Sequence, residues 1–292
     1  MNVRAGTKED LATLAELFGS VEEAVNGRPS RLDAMVVEGW LHTIAFETNT
    51  WLLEEEGQVV AGGFGQKFGL RGNAAGAVRP SAWGRGLGTQ VAELFETRLA
   101  EEGAERLHSW TVAGDTAAES LFRGRGYREV RRFWEMAIEL DEEPPEAPAD
   151  VETFAEGDAE AFHAALEDSF SEHWEHEPES FEEWWKRQRG RTNFDPSLWF
   201  VIRDGDELAG VVRNEARPPD GYVGAIGVRR QWRGRGYGRA LLLYSFGEFY
   251  RRGLQHVTLG VDASNATGAT QLYESVGMHV AEENVVWGKT LT

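Results

Sequence analysis

The sequence predicts a mixed α/β fold built twice in one chain, and three observations carry that prediction. A glycine-rich turn, Arg233-Gly234-Arg235-Gly236-Tyr237-Gly238-Arg239, lies between an apolar run at Tyr222–Val228 and a helical pattern of apolar residues, Ala240, Leu243, Gly247 and Tyr250 with Leu242, Phe246 and Phe249. The same layout occurs earlier: Gly86 precedes Gly236 by 150 residues, and Gly126 precedes Gly277 by 151. A period of that length means two copies of a domain and not a solenoid repeat. Between the copies runs Asp141-Glu142-Glu143-Pro144-Pro145-Glu146-Ala147-Pro148, acidic and proline-rich as linkers are. The expected domains are 1–143 and 144–292.

Each element has its own signal. Val3 to Ala5 reads as a short strand, and Thr7-Lys8-Glu9-Asp10 opens a helix carrying Leu14, Leu17 and Phe18. Trp51–Leu53 and Gln58–Phe64, joined by Glu-Glu-Glu-Gly, read as a hairpin. Ala74–Val78 is a strand, followed by the turn Trp83-Gly84-Arg85-Gly86-Leu87-Gly88-Thr89 and a helix with Val91, Leu94, Phe95 and Leu99. A strand near Leu107–Val112, the segment Leu121–Tyr127 and a strand reaching about Leu140 complete the first copy. The second copy repeats the order.

Strand, glycine turn and helix N-terminus together form a socket for an anion, because exposed backbone N–H groups and the helix dipole both favour negative charge. Phosphate is the expected guest. A Walker A loop is absent, since Gly288-Lys289-Thr290 has only its last letters and no helix after it. A dinucleotide fingerprint would need glycine where Arg239 stands. The pattern that fits is R-x-x-G-x-G, at Arg233, Gly236 and Gly238. Downstream come Leu259-Gly260-Val261-Asp262-Ala263-Ser264-Asn265, Gly268-Ala269 and Leu272-Tyr273-Glu274-Ser275-Val276-Gly277-Met278. Loop and downstream segments together resemble the GNAT acetyltransferases. As a tandem pair the chain resembles the mycothiol synthases over most of its length, with the sharp motifs in the second copy.

That resemblance implies acetyl-CoA as cofactor. It implies that backbone groups of Ile226, Gly227 and Val228 hold the pantetheine arm and thioester oxygen. It gives the pyrophosphate to Arg233, Gly234, Arg235, Gly236, Tyr237, Gly238 and Arg239, and the pantetheine contact to Asn265. It makes Tyr273 the general acid. Read from position alone, Tyr273 is also a packed helix aromatic, and Asn265 also a helix N-cap. The first copy has Trp83 in place of Arg233, Phe122 in place of Tyr273 and no asparagine between Asp115 and Ser120. It reads as degenerate, though Gly86 and Gly88 leave it able to retain the cofactor.

Composition narrows the chemistry. The chain has no cysteine, which excludes disulfides, thiolate metal sites and a thiolate acyl-enzyme. No G-x-S-x-G elbow and no H-E-x-x-H occurs, so no metal is expected. Direct attack of an amine on a thioester remains. It needs a neutral amine, an oxyanion site and a proton for the leaving thiolate. Tyr222–Val228 holds no carboxylate for the base; Glu215 and Asp220 are the nearest acids, and a water chain is the alternative. Phe170, His173, Trp174, His176, Trp184 and Trp185 form an aromatic stretch that reads as acceptor pocket or as ordinary packing. A formal charge of −19 disfavours nucleic acid and suits a cationic small molecule, or serves solubility only. No apolar run is long enough for a membrane span, and the N-terminal residues lack a signal-peptide core, so a cytoplasmic monomer or homodimer is expected. The expected function is acetyl-CoA-dependent N-acetylation of a small primary amine. Mycothiol synthesis is one assignment, against which stands Gly260 where a bulkier residue is expected. A non-catalytic coenzyme-A-binding regulator or scaffold is the alternative from another class.

Overall fold

The computed structural model describes residues 1–41, 44–265 and 267–291. In chain order its elements are β1 (Asn2–Ala5), α1 (Leu11–Asn26), α2 (Ala34–Leu41), α3 (Phe46–Asn49), β2 (Thr50–Glu55), β3 (Gln58–Phe68), β4 (Arg71–Val78), α4 (Leu87–Glu101), β5 (Arg106–Val112), α5 (Thr116–Gly124) and β6 (Arg128–Glu139). They continue with β7 (Glu152–Thr153), α6 (Ala159–Phe170), α7 (Phe181–Arg189), β8 (Trp199–Asp204), β9 (Glu207–Arg217), β10 (Asp220–Val228), α8 (Tyr237–Arg251), β11 (His256–Asp262), α9 (Ala269–Ser275) and β12 (His279–Thr290). Contacts divide the chain into two compact units. Unit 1 is Met1–Phe133 with Glu282–Thr292, and unit 2 is Trp134–Ala281. The chain thus leaves unit 1 inside β6 and returns to it inside β12.

Unit 1 has strand order β1-β2-β3-β4-β5-β12. Its first helix is set by local chemistry. The Asp10 carboxylate accepts the Thr7 N–H at 2.8 Å and hydroxyl at 3.1 Å, and the helix stops at Gly27, whose φ of +69° suits glycine. Leu14 and Leu17 of α1 pack with Val37 and Leu41 of α2, while Val91, Phe95 and Leu99 of α4 cover Leu53, Ala61 and Leu107 of the sheet. The unit is closed by the returning strand, which pairs antiparallel with β5 from Asn284↔Val112 to Thr290↔Arg106. Trp287 on that strand is buried, stacks on Phe122 with centroids 6.0 Å apart and donates to the Thr111 hydroxyl at 2.9 Å.

Unit 2 has order β6-β11-β10-β9-β8-β7. Leu241, Leu242, Phe246 and Phe249 of α8 are fully buried in a core with Val211, Val212 and Val257. An aromatic group of Phe154, Phe162, Trp184 and Trp199 fills the side under α6 and α7. Here the end of β6 and the residue after it supply the closing contacts: Met136 and Leu140 join the core, and the Leu140 N–H donates to the Gln255 carbonyl at 2.7 Å.

Candidate active site

The site in unit 2 begins with a break in its sheet. β10 pairs in parallel with β11 only at Asp220↔His256, Gly221↔Val257 and Tyr222↔Thr258. On its other side β10 stays paired with β9 through Val228↔Gly210, with a bulge between Val223 and Ala225. Beyond Tyr222 the two strands therefore part, and the β10 edge through Ile226, Gly227 and Val228 faces the opening with its backbone groups free of the β11 ladder. Gly227 has its own reason to lack a side chain, since a Cβ there would lie 2.7 Å from Ser169 of α6.

At the end of β10 the chain turns through Arg229–Arg233 and enters α8 by two left-handed glycines, Gly234 at φ +79° and Gly236 at +82°. A Cβ on either would meet nothing within 4 Å, so the space above the turn is open. The first bond within α8 runs from the Ala240 N–H to the Gly236 carbonyl at 3.0 Å, so the N–H groups of Tyr237, Gly238 and Arg239 precede the helical ladder. The cradle fits a pyrophosphate: open, glycine-lined and at the positive end of a helix dipole. Gly238 itself is inside the helix, and its missing Cβ clears Leu272 of α9, which would otherwise be 2.8 Å away. The arginine side chains are held by acids or carbonyls. Arg233 reaches Glu172 at 3.2 Å and donates Nε to the Val228 carbonyl at 3.2 Å. Arg235 reaches Asp204 at 3.2 Å, and Arg239 the Ser275 carbonyl at 2.6 Å. Exposed ion pairs of this kind contribute little, so the Arg233 and Arg235 pairs can be exchanged for a phosphate at small cost.

Tyr273, on α9, is buried, and that burial pushes its hydroxyl up to about 12, with nearby Tyr222 adding to the shift. Its proton is therefore retained at any working pH. The Tyr222 hydroxyl in turn lies 3.7 Å from where a Gly260 side chain would begin, so Tyr222 takes up the room beside Gly260. Asn265 does not cap α9, whose N-cap is Gly268; its Oδ1 accepts the Thr267 N–H at 2.7 Å and hydroxyl at 2.5 Å, fixing the turn after β11.

Glu215, one of the two acids nearest the site in sequence, is occupied. Its Oε1 accepts from Arg191 at 2.9 Å and from Arg213, and its Oε2 from Arg217 at 2.9 Å and Asn193 at 3.1 Å. Burial raises its pKa, but Arg213, Arg217 and Arg191 outweigh this and hold the carboxyl well below the usual range. It is a poor base. His173 sits against Phe170 with ring centroids 4.3 Å apart, and burial pushes its pKa down, Asp262 opposing, which keeps the imidazole neutral. The aromatic stretch thus divides: Phe170 and His173 pair at the end of α6, whereas Trp184 and Trp185 stack on each other at 5.7 Å in the core group.

Sequence reading did not find the arginine cluster or Tyr222. The available signal was Arg213-x-Glu215-x-Arg217, three charges at period two in a strand whose apolar part is Leu208-Ala209-Gly210-Val211-Val212. Among the described residues, no group of three His, Asp or Glu side chains has the arrangement of a metal site. No helix among them is long and apolar enough to cross a membrane.

The corresponding turn of unit 1 has the same backbone, with Gly84 at φ +75° and Gly86 at +78°. Trp83 replaces Arg233 yet keeps its bond, donating the indole N–H to the Val78 carbonyl at 2.6 Å. Phe122 occupies the place of Tyr273, buried against Tyr127 and Trp287.

The profile of the Acetyltransferase (GNAT) family matches residues 17–127 and 159–278. A protein named mycothiol acetyltransferase from Thermobispora bispora is 34% identical over 213 residues, 68% of this chain and 70% of that one. Another of the same name from Thermobifida fusca is 30% identical over 267 residues, 80% of each chain. The crystal structure of a GCN5-related N-acetyltransferase from Sphaerobacter thermophilus superposes with TM-score 0.87 at 31% identity, covering 99% of this chain and 95% of that one. A tandem GNAT protein from the clavulanic acid biosynthesis pathway shares the fold, with TM-score 0.75 at 15% identity, over 100% of this chain and 98% of that one.

Proposed function

Because the chain belongs to the GNAT acetyltransferase family, with two GNAT-like domains in tandem, we propose that unit 2 transfers acetyl from acetyl-CoA directly to the primary amine of a small molecule. The observation that carries this is the parting of β10 from β11 after Tyr222, which leads into the open glycine turn and has Tyr273 nearby. In this reading the N–H groups of Tyr237, Gly238 and Arg239, with Arg233 and Arg235, hold the pyrophosphate. The freed backbone of Ile226, Gly227 and Val228 lines the pantetheine arm, and Asn265 keeps the turn after β11 in place beside it. Acetyl-CoA, when bound, supplies the thioester whose C–S bond breaks as the amine's N–C bond forms. Tyr273 holds its proton for the departing sulfur, and His173, neutral at the working pH, is our candidate to accept the proton the amine gives up. Unit 1 keeps the turn and lacks the tyrosine, so chemistry is assigned to unit 2. A mycothiol-type acceptor is an extension from the named relatives; a smaller or differently charged amine fits the same chemistry.

The test is release of free thiol from acetyl-CoA by the full chain with a panel of amines. Amine-dependent release that Tyr273→Phe lowers without changing acetyl-CoA affinity supports the reading. Binding of acetyl-CoA with no release for any amine would leave the non-catalytic coenzyme-A-binding alternative.

A further inference from the structure

Three guanidiniums in unit 2 share one carboxylate. Arg191, Arg213 and Arg217 each pair with Glu215, and their side chains keep 12%, 12% and 20% of their exposure against 3% for the carboxylate. The group carries a formal excess of two positive charges. Both Glu215 oxygens are saturated by these donors and Asn193. The arginines are not. Among the described residues Arg213 bonds through Nη1, leaving Nε and Nη2, and Arg191 leaves Nη1. Like charges gathered in a partly dry site repel, and a further anion would offset that repulsion. Burial already pushes the Arg191 pKa down, Glu215 opposing and Arg213 and Arg217 adding to the fall.

The cluster reaches the candidate site through Arg217. Arg217 stacks over the Tyr222 ring, 3.6 Å from its centroid, and Tyr222 is the last residue of β10 paired with β11 and a neighbour of Tyr273. Arg213 Nη2 lies 2.7 Å from where a side chain on Gly224 would begin, so the bulge at Gly224 makes the room it occupies. It is also far from the pyrophosphate turn. Arg213 is opposite Ala225 and Arg217 opposite Asp220 in the register. At ~3.3 Å per residue this sets them roughly 10 and 26 Å back from Val228 along the strand.

Unit 1 provides an internal control. Phe64 is opposite Ala75 as Arg213 is opposite Ala225, and the strand continues with Gln66 and Phe68 where unit 2 has Glu215 and Arg217. Phe64 packs with Phe18 and Trp40 at 5.7 and 6.5 Å. The same sheet position is therefore held by apolar packing in the copy that lacks Tyr273, and the fold does not require the charges.

We infer that Arg191, Arg213 and Arg217 form an anion subsite for the acceptor, so that the amine acetylated carries an oxyanion, a carboxylate or a phosphate, elsewhere in the same small molecule. This rests on the acetyltransferase reading for the word acceptor, but not for the subsite. The experiment takes the full chain and a panel of α-, β- and γ-amino acids, each with its neutral amide, plus aminoalkyl phosphates. Thiol release from acetyl-CoA is measured beside equilibrium binding by ligand-observed NMR in the presence of coenzyme A. At least one acid or phosphate should exceed its neutral counterpart by ~10²-fold or more in kcat/KM and bind detectably tighter, the usual margin when a site's charged donors lose their partner. Arg191→Gln and Arg217→Gln should each raise KM for that acceptor ~10-fold or more, leave KM for acetyl-CoA unchanged, and erase the preference over the amide; Arg191→Lys should recover part of it. Carboxylates against phosphates in the panel tell which oxyanion is meant. Neutral amines turned over and bound as well as their acids, or variants that lower both classes alike, would overturn the subsite while the acetyltransferase reading stands. Arginine-dependent binding of acids with no thiol released would do the reverse.

Discussion

The two units keep the same turn and differ in what surrounds it. Gly84 and Gly86 repeat the backbone of Gly234 and Gly236 to within a few degrees, and Trp83 makes the carbonyl bond that Arg233 makes. What unit 1 lacks is polar: the Tyr273 hydroxyl, the Arg233 charge and the arginines about Glu215. A turn of this kind is thus worth keeping for its fit between strand and helix, whatever polar groups surround it. The hydrogen bond to the Val78 or Val228 carbonyl belongs to the fold. The guanidinium that makes it in unit 2 is the one we assign to the pyrophosphate.

Glu215 gives the largest test of that contrast. Glu215→Gln leaves three guanidiniums without their counter-ion and should cost about 3–5 kcal/mol of unit 2 stability, whereas Gln66→Ala in unit 1 should change little. The pH dependence has a definite sign. Because the folded carboxyl is held below its ordinary value of about 4.3, its contribution is full above that pH and declines as pH falls through it. Denaturation of the Glu215→Gln chain should therefore depend less on pH below about 4 than that of the parent. A parallel acid limb in both would show that the arginines do not stabilise the carboxylate.

Next in size is Gly236→Asp. It places a carboxylate at a left-handed position against the cradle, and should weaken acetyl-CoA on the order of 10³-fold, since facing like charges cost several kcal/mol. Gly86→Asp should leave turnover intact. Calorimetry and turnover on both variants decide between the copies; an active Gly236→Asp beside a dead Gly86→Asp would move the site to unit 1.

Tyr273→Phe should lower turnover by ~10²-fold at unchanged acetyl-CoA affinity, while Phe122→Tyr should create no activity in a Tyr273→Phe background. Equal rates for the parent and the Tyr273→Phe chain would remove the hydroxyl from the mechanism. The smallest effect is expected from Trp83→Arg, within about 0.5 kcal/mol of parent stability by thermal unfolding, because arginine makes the same bond in unit 2.

Much of this could be read from the chain because backbone constraints leave marks in sequence. Gly234 and Gly236 sit where only glycine adopts a left-handed turn without strain, and the duplication shows in their spacing. Gly238 shows the limit of the same logic. Its place in the motif suggests the phosphate, but its absent Cβ makes room for Leu272, a contact between helices that spacing does not encode. The arginine cluster was hidden for a different reason. Alternating charges in a strand read as a solvated face, and Arg191, the third member, is over twenty positions away in sequence. The boundary of the compact units was hidden most deeply. β6 and β12 are equivalent strands of the two copies, and exchanging equivalents leaves alternation and composition unchanged.

That exchange also sets an order of events during synthesis. Strands β1 to β5 of unit 1 are translated before unit 2, yet the sheet of unit 1 is finished by Glu282 to Thr290, translated only after all of unit 2. Until then β5 presents a bare edge, and the slot for Trp287 beside Phe122 is unfilled. Over that interval the unpaired strand edge is of the sort that invites wrong partners. Unit 2 meets no such delay, because its borrowed segment, Trp134 to Glu139, is made before the rest of it. The half to which we assign the chemistry can mature first, and the other half is the last to close.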